Sequence, residues 1–352
     1  MSPKQNNSER INLMQDYKIT LRLNGINEIY THIQKAYDLY STGKFHEAYG
    51  IIEPICEFIK LMSGMGNFLN YIGMYQCSRI FQLAGDICGE AEMIDLARKY
   101  YAIHQFFGFQ LKSDFEKETK IQLFHFRNTK KYTLQNLINN QFTLVDPGIQ
   151  NDIVDTPILT WLDCMSNTNC LHSKHLGLYK ESFKGFHSVS FCMDSAFRKA
   201  IENTLMWAHY ANSHKGICVE YELDSCDFRL TTLNPLKVSR LYKVSYSDSN
   251  SQPLDFTNPE IALSFRNGFA YKSSCWEYEQ EVRLISYTLE YSQRFVQYQI
   301  QTKNPIKAIY FGVKCSSRRR NLVKNILSGR GIKYYQMKFN PKDIHRLIFE
   351  EC

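Results

Sequence analysis

The stretch that decides the second half of this chain runs from Trp276 to Ile285 and reads WEYEQEVRLI. Glu277, Glu279 and Glu281 occupy alternate positions, which places their side chains on one face if the segment is extended. The residues that follow form an apolar, β-favouring run, as in a strand that enters a core. The stretch therefore predicts a strand that opens with neighbouring carboxylates.

Neighbouring carboxylates repel each other, so a chain keeps them for a reason. One interpretation is a site that holds cations or raises the pKa of a carboxyl group for proton transfer. The other is an edge strand with a solvated acidic face. Arg283 lies two residues beyond Glu281 and could form a structural ion pair with it. Spacing alone leaves these alternatives open.

Length and composition predict two packed domains. The chain has 352 residues, which is longer than a domain with a single core usually is. Of these residues, 44% are hydrophobic and 14% aromatic, which is enough to form packed cores. The eleven cysteines are scattered, and the polar stretch from Met1 to Asp16 has no apolar run of the kind that directs secretion. No stretch approaches the roughly twenty apolar residues of a membrane span. We expect a soluble, cytoplasmic protein with reduced cysteines.

The first part, residues 1–118, is predicted to be a helical domain, because its apolar residues recur at helical spacing from about Ile26 onward. Ala36, Gly43, Phe45 and Ala48 fit a helical hairpin in which small residues allow close contact, Gly43 turns the chain and Phe45 starts the second helix. This pattern resembles a tetratricopeptide-type unit, and residues 83–106 resemble a degenerate second one. Such a domain would bind a partner or trigger; alternatively, it covers the second domain.

The second part, residues 119–352, is predicted to be an α+β domain built on a mostly antiparallel sheet. Apolar residues alternate in many short runs and few strand–helix–strand units are apparent. In the first strand, Phe124 and Phe126 fall on one side and His125 and Arg127 on the other. A helix is predicted from Asp194 to about Ala211. The strands are predicted at about residues 121–127, 142–145, 187–192, 217–223, 239–247, 281–287, 294–301, 306–312 and 332–339.

Motifs narrow the possible chemistry. The phosphate-binding G-x-x-x-x-G-K-[ST], the dinucleotide-binding G-x-G-x-x-G and the hydrolase G-x-S-x-G are absent, which removes the main support for those classes. One short segment contains residue types that bind zinc, namely Cys164, Cys170, His172 and His175. It lacks the Cys-x-x-Cys spacing and the second group of ligands that usually complete a zinc site. The basic run at 318–320 either meets phosphates or is a solvated helix face. The polar and aromatic residues that stand out are His125, Arg127, Asn151, Asp152, Trp207, His209, Tyr210, His214, Lys272, Glu279, Glu281 and Arg283.

These residues carry a resemblance to a bacterial family, domain of unknown function 2971, over about residues 121–312. The motifs are Phe-His-Phe-Arg at 124–127, Asn151-Asp152, Leu-Met-Trp-Ala-His-Tyr-Ala at 205–211, His-Lys-Gly-Ile-Cys at 214–218 and Trp-x-Tyr-Glu-x-Glu-x-Arg at 276–283. The central Met-Trp-x-His-Tyr-Ala and His-Lys-Gly strings are the specific part. Taken by themselves, Trp207 and Tyr210 favour core positions over a stacking platform, and His209 favours a core or helix-packing position.

The layout of this family is similar to the ADP-ribosyltransferase superfamily, which implies NAD as the substrate that donates ADP-ribose. The resemblance implies Glu281, or less favourably Glu279, as the catalytic carboxylate beside the departing nicotinamide. It implies that His125 or Arg127 binds the diphosphate or ribose and that Trp207, His209 or Tyr210 lines the pocket. The other residues grouped with the cofactor site are Asn151, Asp152, His214, Lys272 and Arg283.

The sequence thus favours an NAD-dependent ADP-ribosyltransferase-like toxin or antiphage-defence effector. Its acceptor would be a macromolecule, either protein or nucleic acid. Its helical domain would bind a protein partner or a trigger. The protein could also be delivered into a target cell. Two rivals stay open at this point. One is a non-enzymatic binding protein, and the other is a metal-dependent nuclease that uses Asp152, Glu279 and Glu281.

Overall fold

The computed structural model describes nine stretches of the chain. They are 26–62, 73–109, 114–115, 117–146, 177–178, 181–233, 236–246, 269–288 and 293–352. The chain divides into two compact units. The first, the helical unit, comprises Met1–Leu111, Leu162–Gly185 and Leu233–Leu236, and the second, the sheet unit, comprises Lys112–Trp161, Phe186–Thr232 and Lys237–Cys352.

The helical unit contains two helical hairpins. Its helices are Ile26–Ser41 (α1), Phe45–Met62 (α2), Met74–Glu90 (α3) and Ile94–Phe109 (α4). Gly43 turns the chain between α1 and α2 with φ 77°, a value that favours glycine. A Cβ on Gly85 would lie 2.7 Å from the Tyr101 ring, so this glycine lets α3 and α4 approach closely. The predicted helical region is confirmed, and among the described residues no helix is long and apolar enough to cross a bilayer.

The sheet unit is built on an eleven-stranded sheet, and the predicted α+β class with mostly antiparallel pairing is confirmed. The strands are Lys120–Arg127 (β1), Gln141–Val145 (β2), Phe186–Cys192 (β3), Ile217–Asp224 (β4), Thr231–Leu233 (β5), Leu236–Lys243 (β6), Glu281–Thr288 (β9), Phe295–Gln299 (β10), Ile306–Phe311 (β11), Lys333–Asn340 (β12) and Asp343–Glu351 (β13). Nine of them follow the order β13-β12-β11-β4-β1-β3-β9-β6-β5, while β2 pairs with β3 and β10 pairs with β2. β11 runs parallel to β12, whereas the pairs β1–β3, β1–β4, β3–β9, β6–β9, β4–β11 and β12–β13 are antiparallel.

Shorter elements complete the unit. Ser245–Tyr246 (β7) and Tyr271–Lys272 (β8) form a separate parallel pair. The helices are Lys131–Asn139 (α5), Thr204–His209 (α6), Ser225–Phe228 (α7) and Ser317–Ile326 (α8).

The sheet buries a different core on each face, as the alternation along β1 requires. Leu123 joins one cluster together with Phe191, Val219 and Leu284. Phe124 and Phe126 join the other cluster, which contains Trp207, Tyr310 and Leu347. We call the face of β1 that carries Phe124 and Phe126 the α6 face, because α6 packs there.

The helix predicted from Asp194 is wrong in its first half. Asp194 Oδ1 accepts a hydrogen bond from the Ala200 N–H at 2.7 Å, and Ser195 Oγ accepts one from the Arg198 N–H at 3.1 Å. These side chains hold a turn in place of a helical ladder, because short polar side chains compete for backbone N–H groups. Asn203 then caps α6, its side-chain oxygen accepting from the Leu205 N–H at 3.1 Å.

The strand predicted at 281–287 is confirmed as β9, but the residues before it are not extended, as a shared face for Glu277, Glu279 and Glu281 would require. Ser274–Glu279 forms a 3₁₀ helix, Gln280 takes a left-handed conformation with φ 46°, and β9 begins at Glu281. The Gln280 N–H bonds to the Glu277 carbonyl at 3.2 Å, which closes the turn. Alternate residues therefore do not share one face here, and Glu277 is exposed while Glu279 and Glu281 are buried.

Candidate functional site

Glu279 and Glu281 meet at one lysine ammonium, so their predicted proximity is confirmed by a route other than strand alternation. Lys272 Nζ lies 2.7 Å from Glu279 Oε2 and 3.0 Å from Glu281 Oε2. All three side chains are buried, with 7%, 3% and 5% of each residue exposed in the order Lys272, Glu279 and Glu281. A solvated acidic face is therefore excluded for these two glutamates. Burying charges is unfavourable unless they are paired, and here they are.

Glu281 is held mainly by Arg283, as the structural ion pair considered from the sequence. Arg283 Nε and Nη2 donate to the two carboxylate oxygens at 2.7 and 3.0 Å, and Nη1 donates to the Phe269 carbonyl at 2.9 Å. The Glu281 backbone N–H donates to the Tyr246 hydroxyl at 2.8 Å. Burial would raise the pKa of Glu281, but Arg283 and Lys272 outweigh it and lower that pKa to about 2. Glu281 is thus ionised at neutral pH.

Glu279 has a different environment. Its Oε1 accepts a short hydrogen bond from the Tyr210 hydroxyl, and its Oε2 accepts one from Lys272 at 2.7 Å. Burial raises the pKa of Glu279 above its ordinary value despite these two donors. Burial and the Glu279 carboxylate together raise the pKa of Tyr210, so the tyrosine stays a donor. Two nearby carboxyl groups with opposed pKa shifts are the pattern expected of an acid–base pair with divided roles.

A cleft of about 300 Å³ opens beside Glu279. Glu279 lines this cleft and Glu281 does not. Phe197, Arg198, Lys199 and Arg346 also line it and are exposed to solvent. The cleft thus combines a buried carboxylate with basic and aromatic side chains at its mouth. Its other lining residues are Cys192, Met193, Ser195, Ala200, Asn203, Met206, Tyr278 and Gln280.

Backbone contacts fix the position of Glu279 at the cleft. Asn203 Nδ2 donates to the Tyr278 carbonyl at 2.7 Å, which ties the 3₁₀ helix to the start of α6. The Met193 N–H donates to the Gln280 carbonyl at 3.1 Å and ties the same turn to the end of β3. The carboxylate therefore projects from a turn held on both sides.

The structure places the predicted residues of the central helix in three environments. Trp207 is fully buried, donates from Nε1 to the Ile201 carbonyl at 2.8 Å and packs edge-on against Phe126. Trp207 is therefore a core residue with no surface for a ligand. Tyr210 reaches Glu279, as described above. His209 is exposed, with its ring 6.4 Å from that of Tyr278, so a core role for His209 is wrong.

His214 lies in a strained turn. Asn212, Ser213 and His214 all have positive φ, between 51° and 68°, which non-glycine residues seldom adopt in succession. Burial and Lys314 lower the pKa of His214, and its Nδ1 is buried with no hydrogen-bond partner among the described residues. His214 does not line the cleft beside Glu279.

His125 and Arg127 project from the face of β1 opposite the α6 face. The His125 ring lies 5.0 Å from that of Phe191 and 6.3 Å from that of Phe142, and Arg127 lies over the Tyr132 ring. Burial, with Arg127 beside it, lowers the pKa of His125. Glu281 pairs across the sheet with Cys192, which belongs to the core of the α6 face. The sheet therefore lies between Glu281 on one face and His125 and Arg127 on the other, so these three residues do not share one pocket.

Two predicted positions and one possible metal cluster lie outside the described residues. These are Asn151 and Asp152, and Cys164, Cys170, His172 and His175. Among the residues that the structure does describe, no group of three or more His, Cys, Asp or Glu side chains is placed to hold a metal ion. At the carboxylate pair, Lys272 Nζ occupies the position that a shared cation would take.

The cleft also contains residues that the sequence did not single out, namely Phe197, Arg198, Lys199, Asn203 and Arg346. Asp194 and Ser195 were a turn signal as well as a helix-start signal, and reading them as a turn would have placed Phe197 and Arg198 in a loop. No local signal marks Arg346, which comes from the late strand β13.

Comparison with known proteins gives one match. The family described as Protein of unknown function (DUF2971) matches residues 206–284, a segment that includes Tyr210, Lys272, Glu279 and Glu281. This supports the resemblance to that family over these residues. None of the curated proteins and none of the solved structures matches the chain.

Proposed function

We propose that the sheet unit is an NAD-dependent ADP-ribosyltransferase and that the cleft beside Glu279 is its active site. The observation that carries this proposal is the buried carboxylate of Glu279 on a cleft whose mouth bears Arg198, Lys199, Arg346 and the exposed ring of Phe197. NAD offers the matching groups, since it has an anionic diphosphate, aromatic bases and a ribose carbon that becomes cationic during reaction. The acceptor of the ADP-ribose would be a macromolecule, as expected of a toxin or antiphage effector.

The chemistry assigns Glu279 a role at the ribose. The C–N bond to nicotinamide breaks, nicotinamide leaves with the bonding electron pair, and positive charge develops at the ribose carbon. A carboxylate fixed nearby stabilises this charge more in the transition state than in the ground state. The acceptor then forms a bond to that carbon and loses its proton. Glu279, whose pKa burial raises, is suited to take this proton.

Glu281 acts through Lys272 in this proposal. Its negative charge, with that of Glu279, holds the Lys272 ammonium in place, and Lys272 orients Glu279 Oε2 at 2.7 Å. The proposal therefore takes Glu279, the less favoured carboxylate of the sequence analysis, as the catalytic residue in place of Glu281. What supports this choice is that Glu279 lines the cleft and Glu281 does not.

The test is nicotinamide release from NAD by the purified full chain in chelator, with and without cell extract as the acceptor source. Glu279→Gln keeps the side-chain shape and removes the charge, so we expect release to fall at least about 100-fold, the scale of one lost electrostatic contact in a transition state. Glu277→Gln is the matched control, because Glu277 lies in the same 3₁₀ helix and is exposed. We expect its rate to equal that of the wild type.

Two results would overturn the proposal. One is the absence of nicotinamide release from NAD, with or without extract, whether or not calorimetry shows NAD binding. The other is release that continues unchanged in Glu279→Gln. Chelator separates this reaction from a metal-dependent nuclease, because the transferase chemistry needs no divalent ion.

A further inference from the structure

The turn between β3 and α6 presents a phenylalanine to solvent at the mouth of the cleft. Phe197 is 92% exposed, the largest exposed fraction among the large hydrophobic residues of the described chain. The turn is nonetheless well fixed. Ser195 Oγ accepts from the N–H groups of Phe197 and Arg198, at 3.3 and 3.1 Å, and the Ser195 N–H donates to the Arg198 carbonyl at 2.9 Å. Asp194 closes the turn through the Ala200 N–H at 2.7 Å.

A large aromatic side chain held in water by a fixed turn gains nothing for the fold. Apolar side chains stabilise a protein by leaving water, and Phe197 does not leave it. An exposed aromatic ring beside a concave polar site is a usual platform for a flat ring of a ligand. Nucleobases stack well on such rings because every base has a π-face.

The charges around Phe197 favour an anionic ligand. Arg198 and Lys199 follow Phe197 directly, Arg346 lines the same cleft, and Glu279 is the one acidic residue among the described residues that line it. Arg346 contacts Asp343 at 3.5 Å and Lys199 lies over the Phe349 ring at 6.0 Å. The Arg198 side chain has no acidic partner within the part of the chain that the structure describes, and its guanidinium can bind a phosphate through two parallel hydrogen bonds.

We propose that residues 197–199 and Arg346 form the nucleotide-recognition part of the cleft. The base stacks on Phe197, and the phosphates bind Arg198, Lys199 and Arg346. This assigns the phosphate contacts to the α6 face and not to His125 and Arg127, which project from the opposite face. The assignment of the bound nucleotide to an ADP-ribose donor rests on the proposed function; recognition of base and phosphate does not.

The experiment uses ADP-ribose as the probe, because it carries the base and phosphates without the reacting nicotinamide bond. Binding to the full chain is measured by calorimetry at low and high salt. Phe197→Ala should weaken binding about 10-fold at both salt concentrations, the usual scale of one lost base–aromatic stack. Arg198→Gln should weaken binding about 10-fold at low salt and reduce its salt dependence, because screening acts on charge contacts.

Matched controls come from the same unit. Phe339 is also exposed, at 55%, and Arg294 is an exposed arginine, and neither lines the cleft. Phe339→Ala and Arg294→Gln should bind ADP-ribose like the wild type. The substituted side chains are exposed, so thermal unfolding should be unchanged in all four variants, which separates a lost contact from a lost fold.

The outcomes distinguish this inference from the proposed function. ADP-ribose binding that depends on Phe197 and Arg198, without nicotinamide release, supports the recognition site and removes the transferase reaction. Nicotinamide release that depends on Glu279 while Phe197→Ala and Arg198→Gln bind normally overturns the recognition site and keeps the reaction. Absence of ADP-ribose binding by the wild type also overturns it.

Discussion

The helical unit keeps a buried ionisable group neutral, whereas the sheet unit keeps four buried ionisable groups close together. In the helical unit, His104 Nδ1 lies 2.8 Å from Ser78 Oγ, and burial lowers the pKa of His104 to about 4. In the sheet unit, Lys272 and Arg283 surround Glu279 and Glu281, and the pKa of Glu281 is lowered to about 2. One arrangement is a satisfied core residue and the other is an array of charges.

This difference is one of energetic cost. Burying a neutral histidine that is hydrogen-bonded to a serine carries little free-energy penalty, because no charge is removed from water. A buried charge array is costly to form and often adds no stability over apolar residues of similar volume. The sheet unit has such an array beside its cleft. Under the proposed function the array serves the reaction, whereas the histidine fills the core of the helical unit.

Removal of Lys272 should give the largest change in stability. Lys272→Met leaves Glu279 and Glu281 buried side by side without their shared cation, which should lower the free energy of unfolding by about 3–5 kcal/mol. Urea unfolding at pH 7 measures this. Lys307→Met is the control, because Lys307 is 42% exposed and lies 3.2 Å from Glu222 in a surface pair. Its change should stay below about 1 kcal/mol. Equal effects would remove the distinction between the charge array and an ordinary surface pair.

Acid should weaken the sheet unit through Glu281. Its pKa falls from 4.5 in the unfolded chain to about 2 in the fold, so it contributes about 3 kcal/mol that is present above about pH 5 and lost as pH falls toward 2. The pKa of Glu279 is raised in the fold, so ionisation of this group lowers the free energy of unfolding above about pH 4.5. In urea unfolding, the Glu281→Gln variant should have a lower free energy of unfolding at pH 7 than the wild type. Its free energy of unfolding should also change less between pH 5 and pH 2. An acid slope equal to that of the wild type would contradict the ion pair.

The helical unit should lose stability at milder acidity through His104. Its pKa is about 4 when folded and 6.5 when unfolded, so the unfolded chain binds the extra proton first and stability falls as pH drops below 6.5. Between pH 7.5 and 5 this amounts to about 2 kcal/mol. Hydrogen exchange of the α3 and α4 amides should show this loss of stability in the wild type, and His104→Leu should not show it. His46→Leu, at an exposed position, is the control and should keep the slope.

Tyr210→Phe should give the smallest change and the most specific one. The Tyr210 hydroxyl stabilises the ionised form of Glu279, so its removal raises the pKa of Glu279 further. Under the proposed function, the acid limb of the pH–rate profile for nicotinamide release should move up by about half a unit to one unit, for about 1 kcal/mol of lost hydrogen bonding. A profile that falls in amplitude without moving would show that Tyr210 does not act on Glu279.

Local sequence signals were reliable where one element decides the outcome. Gly43 and Phe45 fixed the first hairpin, and the alternation along β1 placed Phe124 and Phe126 opposite His125 and Arg127. Signals failed where two local structures compete. Asp194 and Ser195 suit both a helix start and a turn. Before Glu281, the Gln280 N–H bonds to the Glu277 carbonyl in a 3₁₀ turn, so the extended conformation considered for the three alternate glutamates does not form.

The helical first part, the mostly antiparallel sheet of the second part and the closeness of Glu279 and Glu281 could all be predicted from the residues. Each follows from periodicity or from short separation along the chain, which one element or turn is enough to produce. Three features depend on packing between distant segments: Lys272 joins the two carboxylates, Glu279 and not Glu281 lines the cleft, and Phe197 and Arg346 line that same cleft. Periodicity states which residues share a face, but the elements that cover that face are chosen by packing across the whole unit.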